Sequence, residues 1–195
     1  MLKNVKLPFL NYKRINLPFG NVMNKAALII LLLYVCLSAC IKSPDTSLTA
    51  YRAQAAIDDK EITDYLNANP GLNAKKVIDT AGVYYIIKQP GSGNALFTNS
   101  TLVTVGDTGR ILKTGQLFTE TNDFHPSFVL SQVIKGWQLG IPEIKKGGIV
   151  RLLIPSRYAY GPNAQTQLGV SFGLTNGLPP NAVLDFDIQL YDITN

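Results

Sequence analysis

The sequence is poor in the side chains that carry most covalent and metal chemistry. It has two cysteines, Cys36 and Cys40, and one histidine, His125, in 195 residues. With no cysteine after residue 40, the downstream chain offers no thiol nucleophile, no Cys-x-x-Cys redox pair and no cysteine-ligated zinc site, and one histidine does not make a metal centre. Serine chemistry fares no better. Gly169-Val170-Ser171-Phe172-Gly173 matches the Gly-x-Ser-x-Gly elbow, but that elbow needs a strand feeding a helix and a later histidine, and His125 comes before it. His125 is followed by Pro126 and reads as a solvated loop side chain. Gly91-Ser92-Gly93 lacks the lysine or third glycine that gives phosphate loops their mechanism. Charge is scarce as well, at 16% of residues, and the net +5 is misleading. No acidic residue precedes Cys40, whereas Lys3, Lys6, Lys13, Arg14 and Lys25 do; the other 13 basic side chains meet all 13 acidic ones over residues 41–195. A segment with no basic excess cannot displace counterions from a phosphate backbone, so nucleic acid is excluded as a partner. At 46% apolar, the chain is too hydrophobic for a disordered protein and suits one globular domain plus extra sequence.

The extra sequence lies at the N-terminus. Residues 26–37 (AALIILLLYVCL) form an uncharged apolar run preceded by Lys25, the arrangement of a secretory signal. The run is shorter than the ~20 apolar residues of a membrane span and is closed by Ser38 and Ala39. Leu37-Ser38-Ala39-Cys40 resembles the lipobox of bacterial lipoproteins, in which the signal is cut before the cysteine and the cysteine is acylated. Residues 1–39 are therefore expected to be a signal peptide, with Met23 as an alternative start. Cys40 is expected to carry a lipid that anchors the protein to a membrane of the bacterial cell envelope. Ile41, rather than an aspartate, follows the cysteine, which by resemblance to the lipoproteins of two-membrane bacteria implies the outer membrane. Cleavage before Cys40 removes 39 of 195 residues, leaves 156, and leaves no cysteine for a disulfide.

Residues 40–49 then read as the lipidated cysteine and a polar tether, and 50–81 as an N-terminal helical segment. Within it, residues 50–68 predict a helix with Ala53, Ala56, Ile57, Ile62, Tyr65 and Leu66 near one stripe, stopped by Pro70-Gly71. Such a helix could be a core element, a lid or a homodimer contact. From residue 82 the pattern changes to strands, predicted over 83–89, 101–105, 116–119, 127–130, 148–155 and 183–192. The last alternates, with Leu184, Phe186, Ile188 and Leu190 on one face and Asp185, Asp187 and Gln189 on the other, which predicts a sheet with one wet side. Residues 133–141 (VIKGWQLGI), ended by Pro142, suit one short helix filling the concave face.

Four segments carry a resemblance. Val133-Ile134-Lys135-Gly136-Trp137, then 149–155 (IVRLLIP), then Tyr158-Ala159-Tyr160-Gly161, then 178–187 (LPPNAVLDFD) resemble, in order and spacing, the FKBP-type peptidyl-prolyl cis-trans isomerases, across residues 101–192. The resemblance implies an α+β fold, a bent antiparallel β-sheet wrapped on one short helix, here with an extra N-terminal helix. It implies an isomerase domain over 82–195 that acts on proline-containing polypeptides, takes macrolide inhibitors and needs no cofactor or metal. It also assigns roles: Trp137 as pocket floor, Phe118, Val133, Ile134, Leu178 and Phe186 as walls, and the Tyr160 hydroxyl and Ile134 backbone N–H as donors to substrate carbonyls. Such a pocket suits the reaction, because an X-Pro amide rotates through a twisted state ~18–20 kcal/mol above ground that water stabilises less than the planar form. Desolvation in an aromatic cup lowers that barrier without covalent chemistry.

The pocket rim departs from the family pattern. Asp107 stands where the family has a tyrosine before Thr-Gly, Thr119 where it has an aspartate, and Pro126 where a further aromatic wall is expected. An ionised Asp107 in an apolar cup needs a partner, and the expectation is that it takes the place of the lost carboxylate and hydrogen-bonds Thr119 or Tyr160. The loop over 162–177 is longer than the family minimum and adjoins the pocket. Two functions follow: an active isomerase for envelope or secreted proteins, or a non-catalytic module that binds proline segments in the same pocket.

Overall fold

In a computed structural model that describes residues 46–77, 82–94 and 96–195, the chain runs through α1 (Thr46–Ala68), β1 (Lys75–Lys76), β2 (Tyr84–Gln89), β3 (Leu102–Ile111), β4 (Leu117–Glu120), β5 (Ser127–Val129), α2 (Lys135–Gly140), β6 (Ile149–Ile154) and β7 (Leu184–Thr194). The expected signal peptide, the lipidated Cys40 and the first tether residues, 41–45, lie outside the described residues. All strand pairs are antiparallel, in the order β1-β2-β6-β7-β3-β4, with β5 also on β3.

Strict alternation makes β3 the organising strand. Val103, Val105, Asp107, Gly109 and Ile111 face inward and are buried, while the residues between them are half-exposed. The sequence predicted this strand only to residue 105, because Gly106, Asp107 and Gly109 are poor strand formers. The ladder to β7 overrides that preference, pairing residues from Leu102↔Thr194 to Ile111↔Leu184. The other edge of β3 is split. β5 pairs with residues 102–104 and β4 with residues 108–110. The loop between them fills the gap: the Val105 N–H donates to the Pro126 carbonyl (3.1 Å) and the Thr121 N–H to the Asp107 carbonyl (3.0 Å). His125 belongs to this loop and corrects the solvated reading, since its ring is half-buried and stacks on Tyr191 with centroids 3.8 Å apart.

The sheet carries apolar side chains on both faces. On the concave side, Val103, Val105, Val150, Leu152, Ile154, Leu184, Phe186, Ile188 and Leu190 pack against Trp137 and Ile141. α2 lies close to β6 there, because a Cβ at Gly136 would meet Ile154 and one at Gly140 would meet Leu152. On the opposite side, Leu112, Leu153 and Val183 gather around Ile62 of α1, with Tyr65, Leu66, Tyr84 and Ile86 at the margin. Each fully buried aliphatic side chain contributes ~1.5–3 kcal/mol, so both clusters matter to stability.

α1 departs from expectation in start and face. It begins at Thr46, inside the expected tether, and the segment after it contains a short 3-10 turn (Pro70–Leu72) and β1 rather than more helix. Ala53 and Ala56 are exposed and Ile57 is 58% exposed. The stripe that packs runs through Gln54, Asp58, Ile62 and Tyr65, so it contains a carboxylate. Asp58 is fully buried and accepts hydrogen bonds from the Ser156 N–H (2.9 Å), the Ser156 hydroxyl (2.6 Å) and the Gln54 amide (2.7 Å). Beside it, Arg157 donates to Asp59 (2.6 Å). The helix also alters the face of β7 expected to be wet. Asp185 is buried, with both carboxylate oxygens held by Arg151 (2.8 and 2.7 Å), and Arg151 donates in turn to the Tyr65 hydroxyl (2.6 Å).

Candidate active site

The bend of the sheet and the short helix leave one cavity of about 320 Å³ on the concave side. β4 supplies Phe118 and Thr119, β7 supplies Phe186, and β3 supplies Asp107; Val133, Ile134 and Trp137 come from the start of α2, and Tyr160 from the segment after the turn Ser156–Tyr158. The aromatic rings meet edge to face. Trp137 and Phe186 have centroids 5.1 Å apart, Phe118 and Phe186 5.4 Å, and Phe128 and Trp137 6.1 Å, with interplanar angles of 85°, 85° and 80°. This geometry places positive ring edges on negative ring faces, adding ~0.5–1.5 kcal/mol per pair beyond burial. Glycine at position 109 makes it possible, because a Cβ there would lie 2.6 Å from Phe186, 2.6 Å from Thr119 and 2.8 Å from Phe118.

Polar groups in the cup are few and little used. The Tyr160 hydroxyl and the Ile134 N–H make no hydrogen bond to any described residue. The Ile134 carbonyl, by contrast, is spent on starting α2, accepting from Trp137 (3.0 Å) and Gln138 (3.2 Å). The Trp137 indole N–H is buried without an acceptor among the described residues. Asp107 is 8% exposed, and loss of water pushes its carboxyl up to about 6, against the opposing pull of a hydrogen bond from the Thr119 hydroxyl. Tyr160 is raised too, first by burial and then by the negative charge of Asp107. Thr119 and Tyr160 are therefore the polar neighbours of Asp107 in the cup, the first favouring its charged form and the second raised by that charge.

Of the residues singled out from sequence, Asp107, Phe118, Thr119, Val133, Ile134, Trp137, Tyr160 and Phe186 line this single cavity. Leu178 does not. It is 1% exposed within the core, and its backbone pairs both ways with Gln165 (2.9 and 3.0 Å), closing the base of the 162–177 loop. Pro126 forms no wall either; Phe128, two residues on in β5, lines the cavity instead. Gln132 and Leu168 complete the lining and were not anticipated. Leu168 brings in the long loop. Gly169 and Gly173 flank an exposed 3-10 turn (Val170–Phe172) rather than a strand-to-helix elbow, so the Gly-x-Ser-x-Gly match has no catalytic geometry.

The family profile described as FKBP-type peptidyl-prolyl cis-trans isomerase matches residues 93–191. The chain belongs to this family. An FKBP-type isomerase, FkpA of Buchnera aphidicola subsp. Schizaphis graminum, is 34% identical over 117 residues, 60% of this chain and 42% of that protein. FK506-binding protein 1 of Candida glabrata is 39% identical over 108 residues, 53% of this chain and 86% of that protein. The aligned part thus spans less than half of FkpA and most of the smaller FKBP. Among solved structures, a peptidyl-prolyl cis-trans isomerase from Pseudomonas syringae pv. tomato is similar with a TM-score of 0.58 at 26% identity, covering 74% of this chain and 96% of that one. FkpA from Escherichia coli gives 0.51 at 26% identity, covering 88% and 83%. The matched FKBP segment contains every residue of the aromatic cup, whereas α1 lies outside it.

Proposed function

We propose that the protein accelerates cis-trans rotation about X-Pro bonds in proline-containing polypeptides of the bacterial cell envelope, where it is held by lipid on Cys40. The observation that carries the catalytic reading is an aromatic cup in which the Tyr160 hydroxyl and the Ile134 N–H are donors with no acceptor among the described residues. A proline ring seated on Trp137 loses water on both sides. The planar amide, which water favours, is then disfavoured relative to the twisted one, and the two donors hold the flanking carbonyls so that the bond turns within a fixed frame. Nothing in this scheme needs a nucleophile or a proton transfer. The envelope location rests on the apolar run over residues 26–37 and on Leu37-Ser38-Ala39-Cys40.

The test is the cis-to-trans relaxation rate of short X-Pro peptides with full-length protein in detergent. Acceleration is expected, abolished by rapamycin or tacrolimus. Trp137→Leu and Tyr160→Phe are expected to lower kcat/KM by about 10-fold or more and about 3–10-fold respectively, since one hydrogen bond or one ring face is worth ~1–2 kcal/mol. Peptide binding without acceleration would leave the non-catalytic module. Anchoring is checked separately: incorporation of labelled fatty acid and recovery with membranes are both expected to be lost in Cys40→Ser.

A further inference from the structure

The inward face of β3 is apolar except at one position. Val103, Val105, Gly109 and Ile111 suit a concave core, and Asp107 sits among them, 8% exposed. The groups that face it are Phe118 and Thr119 from β4, Tyr160 from the turn segment, and Phe186 from β7, and none is a cation. Its carboxylate, with about four acceptor sites when ionised, has the Thr119 hydroxyl as the one neighbour that favours its charged form. The Thr121 hydroxyl beside it is taken by the Asp107 backbone N–H (2.8 Å) and lies on the main-chain side. The cation nearest along the strand, Arg110, is on the outer face, 3.8 Å from Asp187. A buried carboxylate with no countercharge is expensive to maintain, and folds place one where a ligand supplies the missing partner. Phe118, Tyr160 and Phe186 line the same cavity, and aromatic surroundings also favour a positive ligand group.

We infer that the cup selects prolyl segments in which a lysine or arginine sits next to the proline, with Asp107 as the countercharge. The inference rests on the proposed binding of prolyl segments and specifies which ones. With the proline on Trp137, the neighbouring side chain runs along the Phe118 wall and brings its cation to Asp107, displacing the water that otherwise completes the carboxylate. Thr119 holds the carboxylate in place and, unlike the family's aspartate at that position, adds no second charge.

The experiment uses full-length protein in detergent and one peptide scaffold carrying lysine, arginine, norleucine, glutamine or glutamate immediately before or after proline. Binding is followed by the fluorescence of Trp137, the only tryptophan in the chain, and isomerisation is measured on the same peptides. Lysine and arginine peptides are expected to bind about tenfold more tightly than norleucine, and glutamate most weakly. In the unmodified protein this preference is expected to shrink as the pH falls below about 6, where Asp107 takes up a proton. In Asp107→Asn the lysine-to-norleucine ratio is expected to fall to about one, whatever the absolute affinity. Equal binding of lysine and norleucine peptides at pH 7.5, no binding of any peptide, or a preference that survives Asp107→Asn overturns the inference. A cation preference without acceleration of rotation overturns the isomerase reading alone, and acceleration without a preference overturns this one alone.

Discussion

A single carboxyl shows how this pocket sets function against stability. Asp107 holds its proton up to about pH 6 in the folded chain, against an ordinary value of 3.8. The folded state therefore binds more protons than the unfolded state between those values, and stability declines as pH rises from about 4 to 6, with the full penalty present above that window. The shift sets a ceiling of about 3 kcal/mol, which water at the pocket mouth lowers to about 1–2 kcal/mol. Asp107→Asn is expected to be more stable than the natural chain by that amount at pH 7.5 and indistinguishable from it below pH 4, read from urea midpoints at the two pH values. A difference that does not change with pH would assign the effect to packing rather than charge. The indole N–H of Trp137, with no acceptor among the described residues, is a second local cost in the same cup. Costs to the fold thus gather in the cup proposed to take the ligand.

At the scale of elements, α1 and the Tyr160 arm are one mechanical unit. Ser156 joins them: its N–H and hydroxyl donate to Asp58, while its carbonyl accepts from Ala159 and Gly161 (2.9 Å each), the two residues that flank Tyr160. Removing the Asp58 carboxylate leaves the two buried Ser156 donors unpaired. Asp58→Ala is expected to cost about 2–4 kcal/mol and, at temperatures where the variant is fully folded, to lower kcat/KM on prolyl peptides by loosening the Tyr160 arm. Asp58→Asn, which keeps an acceptor, is expected to recover part of both. Loss of stability with unchanged kcat/KM would show that the contact only docks the helix. No local pattern marks this coupling, because Asp58 and Ser156 are 98 residues apart and the helix pattern draws attention to apolar positions. Ile57, on the expected apolar stripe, is exposed, and Asp58, off that stripe, is buried.

For the whole molecule, the readable part was the part built from strand-forming side chains. β2, β4, β5, β6 and β7 fall within one or two residues of their expected bounds, because short runs of aliphatic and aromatic residues between turn residues mark them. The short helix on the concave face was legible from its apolar content and Pro142. β3 was under-read by six residues, since its second half is held by pairing with β7 and not by strand-forming side chains. At the site, most residues named from the motifs fall in the cup. Leu178, which opens the 178–187 motif, is instead buried in the core, and Pro126 stands two residues before Phe128, which forms the wall. β7 is the last of the seven strands among the described residues, yet it lies in the middle of the sheet between β6 and β3 and contributes Phe186 to the aromatic cup. A growing polypeptide therefore has neither a joined sheet nor a complete cup until this strand emerges, so the half-made chain stays slack and its two halves unlinked.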